Sequence, residues 1–407
     1  MTIETDVLVV GGGATGAGIA RDLALRGLDA VLVERDGLSS GTSSRSHGLL
    51  HSGARYAEAD RAGAAECIEE RRVLGEIAGA CVRDTGGLFV SLPADDPAYF
   101  EEKLTACEEV GIPTEVIDGD EARAAVPGLS PAVERAMRVP DGVVYPSRLV
   151  AANAADAREH GATIHTHAPV EGIETDGDRV TGVRVGGAVG ETVVADYVVN
   201  AAGAWAGRIA GMAGADVTMH PNRGVMVSVP YDDLGPVLNR CRVPSDGDIV
   251  VPHEGEVVLG TTSVDVDDPD EYPKPEWEVE RTVEECSAML PAVADADPLR
   301  TWWGIRPLYG PDEAERGGRG ISRDFVLLDH ADDGAENFAT IVGGKLTTYR
   351  AMAEAAADLV CDRLGVAADC VTDERDLPGA DDPARLDEFV AAFDASGPTD
   401  ADVVAGG

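Results

Sequence analysis

A glycine-rich turn between a strand-like and a helix-like segment lies near the start of the chain, and it constrains the fold more than any other feature. Val7–Val10 is apolar and ends in glycine, as a buried parallel strand does. Residues 14–26 carry apolar side chains at helical spacing, and residues 30–34 are mostly apolar again. The order strand, helix, strand predicts a βαβ unit at the core of an α/β fold.

The glycines of this turn have the spacing G-x-G-x-x-G, at Gly11, Gly13 and Gly16. Such glycines allow the tight turn, the approach of the backbone to a pyrophosphate and the close packing of helix on strand. The N–H groups at the start of the helix then attract phosphate. Glu34 follows Gly16 by 18 residues, at the end of the second strand, where a carboxylate accepts hydrogen bonds from ribose hydroxyls. The turn therefore predicts a bound dinucleotide, which this motif alone leaves open as NAD or FAD.

An acidic surplus dominates the composition. The 407 residues include 74 Asp and Glu against 33 Lys and Arg, which gives a formal net charge of −41 at pH 7. Because such a charge destabilises a compact chain unless salt screens it, we expect a protein adapted to high salt. The same charge excludes nucleic acid and anionic lipid as partners held by bulk electrostatics.

The cysteines and apolar segments indicate a cytoplasmic protein. Seven scattered cysteines include no C-x-x-C pair, and their odd number argues against a full disulfide framework. No secretory signal is visible, and no uninterrupted apolar run reaches the length of about 18 residues that a membrane span needs. We predict no metal site.

The pattern along the chain predicts two domains, of which the first is discontinuous. Residues 1–80, 140–215 and 320–366 are assigned to a nucleotide-binding domain, since strand–glycine–helix patterns occur near both ends. Residues 81–139 and 216–319 are assigned to a strand-rich substrate domain. Residues 367–407 are rich in Asp, Pro and Gly, and we expect a linker or the start of a truncated C-terminal region.

Two later segments favour FAD over NAD. Residues 198–205 form a strand pattern that ends in small residues suited to close backbone approach. Residues 340–350 place the pair Gly343 and Gly344 before a second helix. A helix N-terminus at the pyrimidine end of a flavin would stabilise the negative charge of the reduced ring.

Five segments together resemble FAD-dependent glycerol-3-phosphate dehydrogenase. They are GTSSRSHGLLHSGARY (41–56), NRCRVPSDGDIVVP (239–252), LGTTS (259–263), GIRPLYG (304–310) and GGKLTTYR (343–350). HGLLHSGARY and NRCRVPSD are more similar to the catalytic subunit of the anaerobic enzyme than to the single-chain aerobic type. The resemblance covers residues 1 to about 379. It implies a discontinuous Rossmann-like FAD-binding domain of the glutathione-reductase or D-amino-acid-oxidase type, with an antiparallel substrate domain.

The resemblance also implies a reaction and partners. In this family sn-glycerol 3-phosphate is oxidised to dihydroxyacetone phosphate, and the C2 hydride passes to flavin N5. Electrons then pass to quinone through partner subunits, which we expect to carry iron–sulfur centres. Such partners would bring the chain indirectly to the inner face of the membrane, and association of several copies of the chain stays open.

The residues expected at the substrate are Arg55, Tyr56, Arg306 and Lys345, which match the family's substrate positions. A dianionic phosphate requires charge-assisted donors, and arginine supplies two in a fork. Lys345 is one of only three lysines and directly follows a glycine pair, which favours a functional position. For Arg306 a structural ion pair is the alternative.

His51 is the favoured proton acceptor, because histidine titrates in the useful range and this one precedes a Ser-Gly pair. A hydrogen-bonded structural histidine is the alternative. The single-chain enzyme carries a histidine in a strand where this chain has Met226, so the identity of the base stays open.

The expected flavin contacts lie in the two glycine turns, at strand ends and in the loop 41–56, called here the flavin loop. By the resemblance, Thr42 and Ser43 lie against the flavin. The full set is Gly11, Gly13, Ala14, Thr15, Gly16, Glu34, Arg35, Gly41, Thr42, Ser43, His47, Gly48, Leu49, Val170, Ala202, Gly203, Gly304, Gly344, Lys345, Leu346 and Thr347.

Two other functions compete with this one. A flavin oxidase or dehydrogenase of an amino acid or 2-hydroxy acid would need one arginine for a carboxylate. A non-catalytic flavin-binding subunit would not need basic residues concentrated beside the ring. The number of basic residues near the expected flavin favours the phosphorylated substrate over both.

Overall fold

A computed structural model describes residues 2–310 and 324–404. The strands are β1 Thr2–Val10, β2 Ala30–Val33, β3 Leu49–Leu50, β4 Val82–Arg83, β5 Gly87–Ser91, β6 Glu115–Asp118, β7 Arg135–Val139, β8 Gly142–Val144, β9 Thr163–His165, β10 Val170–Asp176, β11 Arg179–Val185, β12 Glu191–Asn200, β13 Met219–Pro230, β14 Val237–Arg240, β15 Ile249–Pro252, β16 Glu256–Gly260, β17 Val264–Asp265, β18 Arg300–Tyr309, β19 Phe325–Asp329 and β20 Phe338–Gly343. The helices are α1 Ala14–Leu25, α2 Arg61–Ile77, α3 Pro97–Val110, α4 Gly119–Ala125, α5 Pro146–Glu159, α6 Ala206–Met212, α7 Glu276–Ser287, α8 Tyr349–Leu364, α9 Pro383–Ala392 and α10 Ala401–Val404.

The first sheet contains the predicted βαβ unit. Strands β20, β12, β1, β2 and β9 pair in parallel in that order, while β10 and β11 extend the sheet from β12 as antiparallel strands and β19 pairs with β20. The strands β1 and β2 are buried where they adjoin each other, and helices α1, α5 and α8 pack together on one face. The apolar runs read from the sequence are therefore central strands covered on both faces, as parallel sheets require.

The second sheet has nine strands and is mainly antiparallel. Its longest strand, β13, pairs with β18 on one side and with β16 on the other, and both pairs are antiparallel. Helices α4 and α7 cover an aliphatic core that includes Val225, Val227 and Leu259. Because side chains alternate along a strand, the other face of β13 and β18 is left for the site.

The flavin loop runs between the two large sheets. Its strand β3 pairs with β8, which also pairs with β4 in a small three-stranded sheet. Thr42 donates its hydroxyl hydrogen to the Ile305 carbonyl of β18 at 2.6 Å, which ties the loop to the second sheet. The loop is thus held by the small sheet and by the second sheet before it reaches α2.

The described C-terminal residues are packed rather than an open linker, while the alternative, the start of a truncated C-terminal region, stays a prediction. Leu386, Phe389 and Phe393 are buried in the same core as α1 and α5. The apolar spacing of α9 was hidden in a segment with a high content of Asp, Pro and Gly, which suggested a linker. The described part of this segment is instead packed structure.

The division into two domains stays a prediction, and its boundary between residues 319 and 320 lies outside the described residues. Among the helices of the described residues, none has the length and apolar character needed to cross a membrane.

Candidate functional site

A cavity of about 950 Å³ lies between the first sheet, the flavin loop and the open face of β13 and β18. Its walls include the first glycine turn, the glycine pair before α8 and the strand end at residues 201–203. The volume falls within the range that binds cofactors and small ligands. The predicted parts of the site come from distant segments of the chain and therefore border one space.

The first glycine turn leaves room only for glycine at two positions. A Cβ atom at Gly11 would lie 2.6 Å from the Ala201 carbonyl oxygen, and one at Gly16 would lie 1.9 Å from the Gly11 carbonyl oxygen. Gly11 also has φ +111°, which side chains rarely adopt. The start of α1 consequently lies against the sheet, with its first N–H groups at the cavity. Ser43 accepts a hydrogen bond from the N–H of Ala14 at 3.0 Å.

Glu34 lies at the carboxyl end of β2, where the ribose-binding carboxylate of a dinucleotide fold is expected. One carboxylate oxygen accepts from the Gly12 N–H at 2.7 Å, and the other accepts from the Asp36 N–H at 3.0 Å. Burial raises the pKa of Glu34, and the two backbone donors offset only part of this rise. The carboxylate is fixed in place and lines the cavity.

Lys345 follows the glycine pair and is buried, with 2 % of its side chain exposed. Its Nζ has no hydrogen-bond partner among the described residues. The nearest carboxylate oxygens, of Asp60 and Asp324, are 3.9 and 3.8 Å away, and the Tyr56 ring centroid is 5.0 Å away. Gly343 and Gly344 line the cavity and adopt φ of +80° and +71°, a conformation that side chains rarely adopt. A buried ammonium group with unused donors is costly, so the site is suited to an anionic ligand.

His51 and Tyr56 both belong to the flavin loop, and Tyr56 lies beside Lys345. The His51 N–H donates to the Thr347 hydroxyl at 3.0 Å, which fixes the loop to the segment after the glycine pair. His51 Nε2 lies 3.4 Å from the Tyr56 hydroxyl oxygen. The ring of His47 lies 6.1 Å from that of His51, edge to face.

Arg55 and Arg306 reach the cavity from different directions. Arg55 is paired with Asp248 at 3.3 Å and lines the cavity. Arg306 donates to the side-chain oxygen of Asn222 at 2.6 Å and to the Thr262 carbonyl at 2.9 Å. Arg306 lies opposite Asn222 in the β13–β18 register, so the strand pairing orients the guanidinium.

Most of the predicted residues line the cavity, including all of the expected substrate residues and His51. Three expected flavin contacts are absent from the lining. Gly16 packs on the strand, and Thr347 supports His51. A Cβ atom at Gly48 would lie 3.0 Å from His253, so this glycine accommodates the histidine behind the loop. Sequence spacing shows that a residue is near a site, but not which side of the loop it occupies.

The cavity is also lined by residues that were not predicted from the sequence, among them Asp60, Asp324 and Thr261. Asp60 caps α2 by accepting from the Gly63 N–H, and this N-cap signal was readable. Thr261 lies within the quoted LGTTS segment, where its contact with Arg306 has no sequence signature.

The residues present fit FAD. Close backbone approach at Gly11, the helix N-terminus at Ala14 and the fixed carboxylate of Glu34 form one end of the cavity. The glycine pair and the flavin loop form the other end. These parts would hold the pyrophosphate and ribose at one end and the flavin ring at the other.

The family of FAD dependent oxidoreductases matches residues 6–359 of the chain. The A1 subunit of the anaerobic glycerol-3-phosphate dehydrogenase from Haloferax volcanii is 50 % identical over 98 % of this chain and 70 % of that protein. The corresponding subunit of the enzyme from Escherichia coli K12 is 47 % identical over 94 % of this chain and 72 % of that protein. The Haloferax relative also agrees with the predicted adaptation to salt.

Solved structures agree in fold. Glycine oxidase from Geobacillus kaustophilus has a TM-score of 0.73 at 22 % identity and covers 92 % of this chain and 98 % of its own. Glycerol-3-phosphate dehydrogenase from Bacillus halodurans, complexed with FAD, has a TM-score of 0.68 at 24 % identity, over 95 % and 71 % of the two chains. The resemblance and the predicted fold are confirmed. The chain belongs to the FAD-dependent oxidoreductase family and, within it, to the same family as the two anaerobic glycerol-3-phosphate dehydrogenase subunits named above.

Proposed function

We propose that the chain oxidises sn-glycerol 3-phosphate to dihydroxyacetone phosphate with FAD as the hydride acceptor. The shared fold does not specify the substrate, and the main support for this substrate is one observation. Lys345 is buried beside Tyr56, and its ammonium group has no hydrogen bond within the described residues. An anionic substrate would supply the missing acceptor. The relatives named above carry this activity in their names, which supports the same reaction here.

The substrate residues have separate roles in this proposal. Lys345, Arg55 and Arg306 surround the cavity with positive charge, and they would bind and orient the phosphate. The Asp248 carboxylate and the Asn222 amide oxygen hold the two arginines in position. Because the guanidinium groups are oriented before binding, less rotamer entropy would be lost when the substrate arrives.

His51 would take the hydroxyl proton of the substrate at Nε2, next to the Tyr56 hydroxyl. The Thr347 hydroxyl holds the backbone of His51, which keeps the ring near the cavity. FAD, when bound, would supply the acceptor for the C2 hydride. The flavin-loop contacts Thr42 to Ile305 and Ala14 to Ser43 would keep the loop against the ring.

The two relatives are named as subunits, which implies that each works with further subunits. We propose that electrons leave FAD through partner subunits with iron–sulfur centres and pass to quinone. The partners would also bring the chain to the inner face of the membrane.

Anaerobic reduction of the FAD-loaded protein in molar KCl tests the function. We expect sn-glycerol 3-phosphate to remove the oxidised-flavin absorbance, while glycerol, glycine and lactate leave it almost unchanged. Acid should then release free FAD, because no segment indicates a covalent link. Reduction by glycine or lactate but not by the phosphate ester would indicate the oxidase alternative. A flavin that none of these compounds reduces would indicate a non-catalytic subunit.

A further inference from the structure

Behind the flavin loop, a buried histidine faces a carboxylate with no hydrogen bond between them. His253 lies in the turn between β15 and β16, and 0 % of its side chain is exposed. Its Nδ1 atom lies 3.8 Å from Oδ1 of Asp402 in α10. Both atoms are buried and lack hydrogen-bond partners within the described residues.

The tautomer of His253 follows from its other nitrogen. Nε2 lies 3.3 Å from the carbonyl oxygen of His47 in the flavin loop. A carbonyl oxygen only accepts, so Nε2 carries the hydrogen, and Nδ1 of the neutral ring presents a lone pair. Asp402 Oδ1 is also an acceptor, so a cation between these two atoms would satisfy both.

Hydrogen bonds also orient the other two members of the cluster, Asp402 and Glu254. Asp402 Oδ2 accepts from the Glu254 N–H at 2.9 Å, which turns Oδ1 towards His253. Glu254 Oε1 accepts from Arg83 at 2.9 Å and from the Tyr145 hydroxyl at 2.5 Å. One ligand atom from each of His253, Glu254 and Asp402 lies within 4.8 Å of the other two.

We propose that His253, Asp402 and Glu254 bind a divalent transition-metal ion of the Zn²⁺ class. One imidazole and two carboxylates form a ligand set that Zn²⁺ accepts, with water filling the remaining position. Bonds of about 2.0–2.1 Å in tetrahedral geometry place ligand atoms about 3.4 Å apart, close to the 3.8 Å observed. The bond from Nε2 to a backbone carbonyl is the outer contact usual for a metal-binding histidine.

A proton is the competing occupant. Burial lowers the pKa of His253, which disfavours a second proton on the ring. Burial, reinforced by the charge of Glu254, raises the pKa of Asp402 to about 6, and the protonated carboxyl would be able to donate to His253. Arg83 competes with a metal for Glu254, so His253 and Asp402 would provide the main binding.

The proposed ion would connect α10 to the turn that supports the flavin loop. The hydroxyl oxygen of Thr399, just before α10, lies 2.6 Å from the Ser44 carbonyl oxygen and 2.8 Å from that of Ser46, and its single hydrogen is shared between the two. The ion and this threonine would hold the C-terminal segment against the same loop, on the side away from the cavity. This role is structural and separate from the proposed reaction.

Co²⁺ binding to the full chain tests the site, after stripping with EDTA and in molar KCl at neutral pH. The salt reduces loose binding of Co²⁺ to the acidic surface. We expect one saturable equivalent with the visible absorption of an imidazole-coordinated ion, and displacement by Zn²⁺. His253→Gln and Asp402→Asn should weaken binding by at least the roughly 10- to 100-fold that loss of an outer partner costs.

Asp373→Asn is the matched control, since Asp373 is exposed and outside the cluster; it should bind Co²⁺ like the unaltered chain. Asp402→Asn changes a partly buried side chain, so it keeps the test valid if His253→Gln does not fold. Absence of a saturable equivalent, or binding that both variants leave unchanged, would overturn the proposal. A pH-dependent melting step that Asp402→Asn removes, without any bound Co²⁺, would identify a proton as the occupant and also overturn it.

Discussion

Arg223 and Lys345 are both buried cations, but only Arg223 has a matched partner. Arg223 donates twice to one oxygen of Glu278, at 2.8 and 2.6 Å, and 0 % of the Glu278 side chain is exposed. Lys345 has carboxylates at 3.8 Å or more and no hydrogen bond within the described residues. The difference separates a cation that holds the fold from one that is available to a ligand.

The position of each residue explains this difference. Arg223 lies on β13 next to Asn222, but alternation along the strand turns the two side chains to opposite faces. Arg223 points towards α7, where Glu278 also accepts from the Thr262 hydroxyl at 2.6 Å. Asn222 accepts from Arg306, and Arg306 lines the cavity. One strand therefore carries both the supporting layer and the wall of the site.

Breaking the supporting pair should have the largest effect. Glu278→Gln leaves the Arg223 charge buried without a carboxylate, which typically costs about 3–5 kcal/mol of unfolding free energy. Glu280→Gln on the exposed face of α7 is the control and should cost almost nothing. Urea unfolding of the FAD-loaded protein in constant KCl measures both. Equal stabilities of the two variants would contradict a supporting role for the pair.

Removing the available cation should affect catalysis more than stability. Lys345→Met should lower kcat/KM for glycerol 3-phosphate by about ten- to hundred-fold, because a charge-assisted hydrogen bond contributes about 1.5–3 kcal/mol. FAD content should be retained. Lys274→Met is the control, because Lys274 is exposed and lies outside the site, in the acidic loop of residues 265–275 before α7. Unaltered kinetics in Lys345→Met would contradict the substrate role.

Arg306→Met should affect both stability and catalysis, whereas Glu278→Gln should affect mainly stability and Lys345→Met mainly catalysis. The hydrogen bonds of Arg306 to Asn222 and Thr262 link β18 to its neighbours, so Arg306→Met should lower the melting temperature as well as kcat/KM. We expect a loss of about tenfold in kcat/KM, at the lower end for a charge-assisted bond. The preference for glycerol 3-phosphate over glycerol should also narrow. A lower melting temperature with unchanged substrate preference would indicate a purely structural arginine.

The sequence predicted the parts of the site better than their orientation. The βαβ turn and the pair Gly343 and Gly344 were readable because close backbone approach requires glycine. Arg223 and Glu278 were not readable as partners, since their pairing depends on how α7 packs on β13. Such contacts depend on tertiary structure, which leaves little trace in local spacing.

The same limit applied to the C-terminal segment. Its Asp, Pro and Gly content favours a linker, but Leu386 and Phe389 of α9 are buried in the core that also contains α1 and α5. Composition averages over a window, so a short amphipathic helix within an acidic segment is easily missed. His253 and Asp402 likewise come together only because α10 packs beside the β15–β16 turn.

The smallest effect should come from the exposed acidic loop before α7. Asp270 accepts from Trp205 at 2.9 Å and pairs with Arg35 and Arg208, but 38 % of its side chain is exposed. Exposed ion pairs contribute about 0–1 kcal/mol to stability. In 1 M salt the Debye length is only about 3 Å, so the attraction within such pairs is largely screened. Asp270→Asn should therefore lower the melting temperature slightly in dilute buffer, relative to the control Asp267→Asn, and the difference should vanish in molar KCl. The unaltered chain should become more stable across the same range, because its charge of −41 is screened. A melting temperature of the unaltered chain that is flat or falls with salt would contradict the predicted salt adaptation. A deficit of Asp270→Asn that persists in molar KCl would show that this exposed group behaves like the buried pair of Arg223.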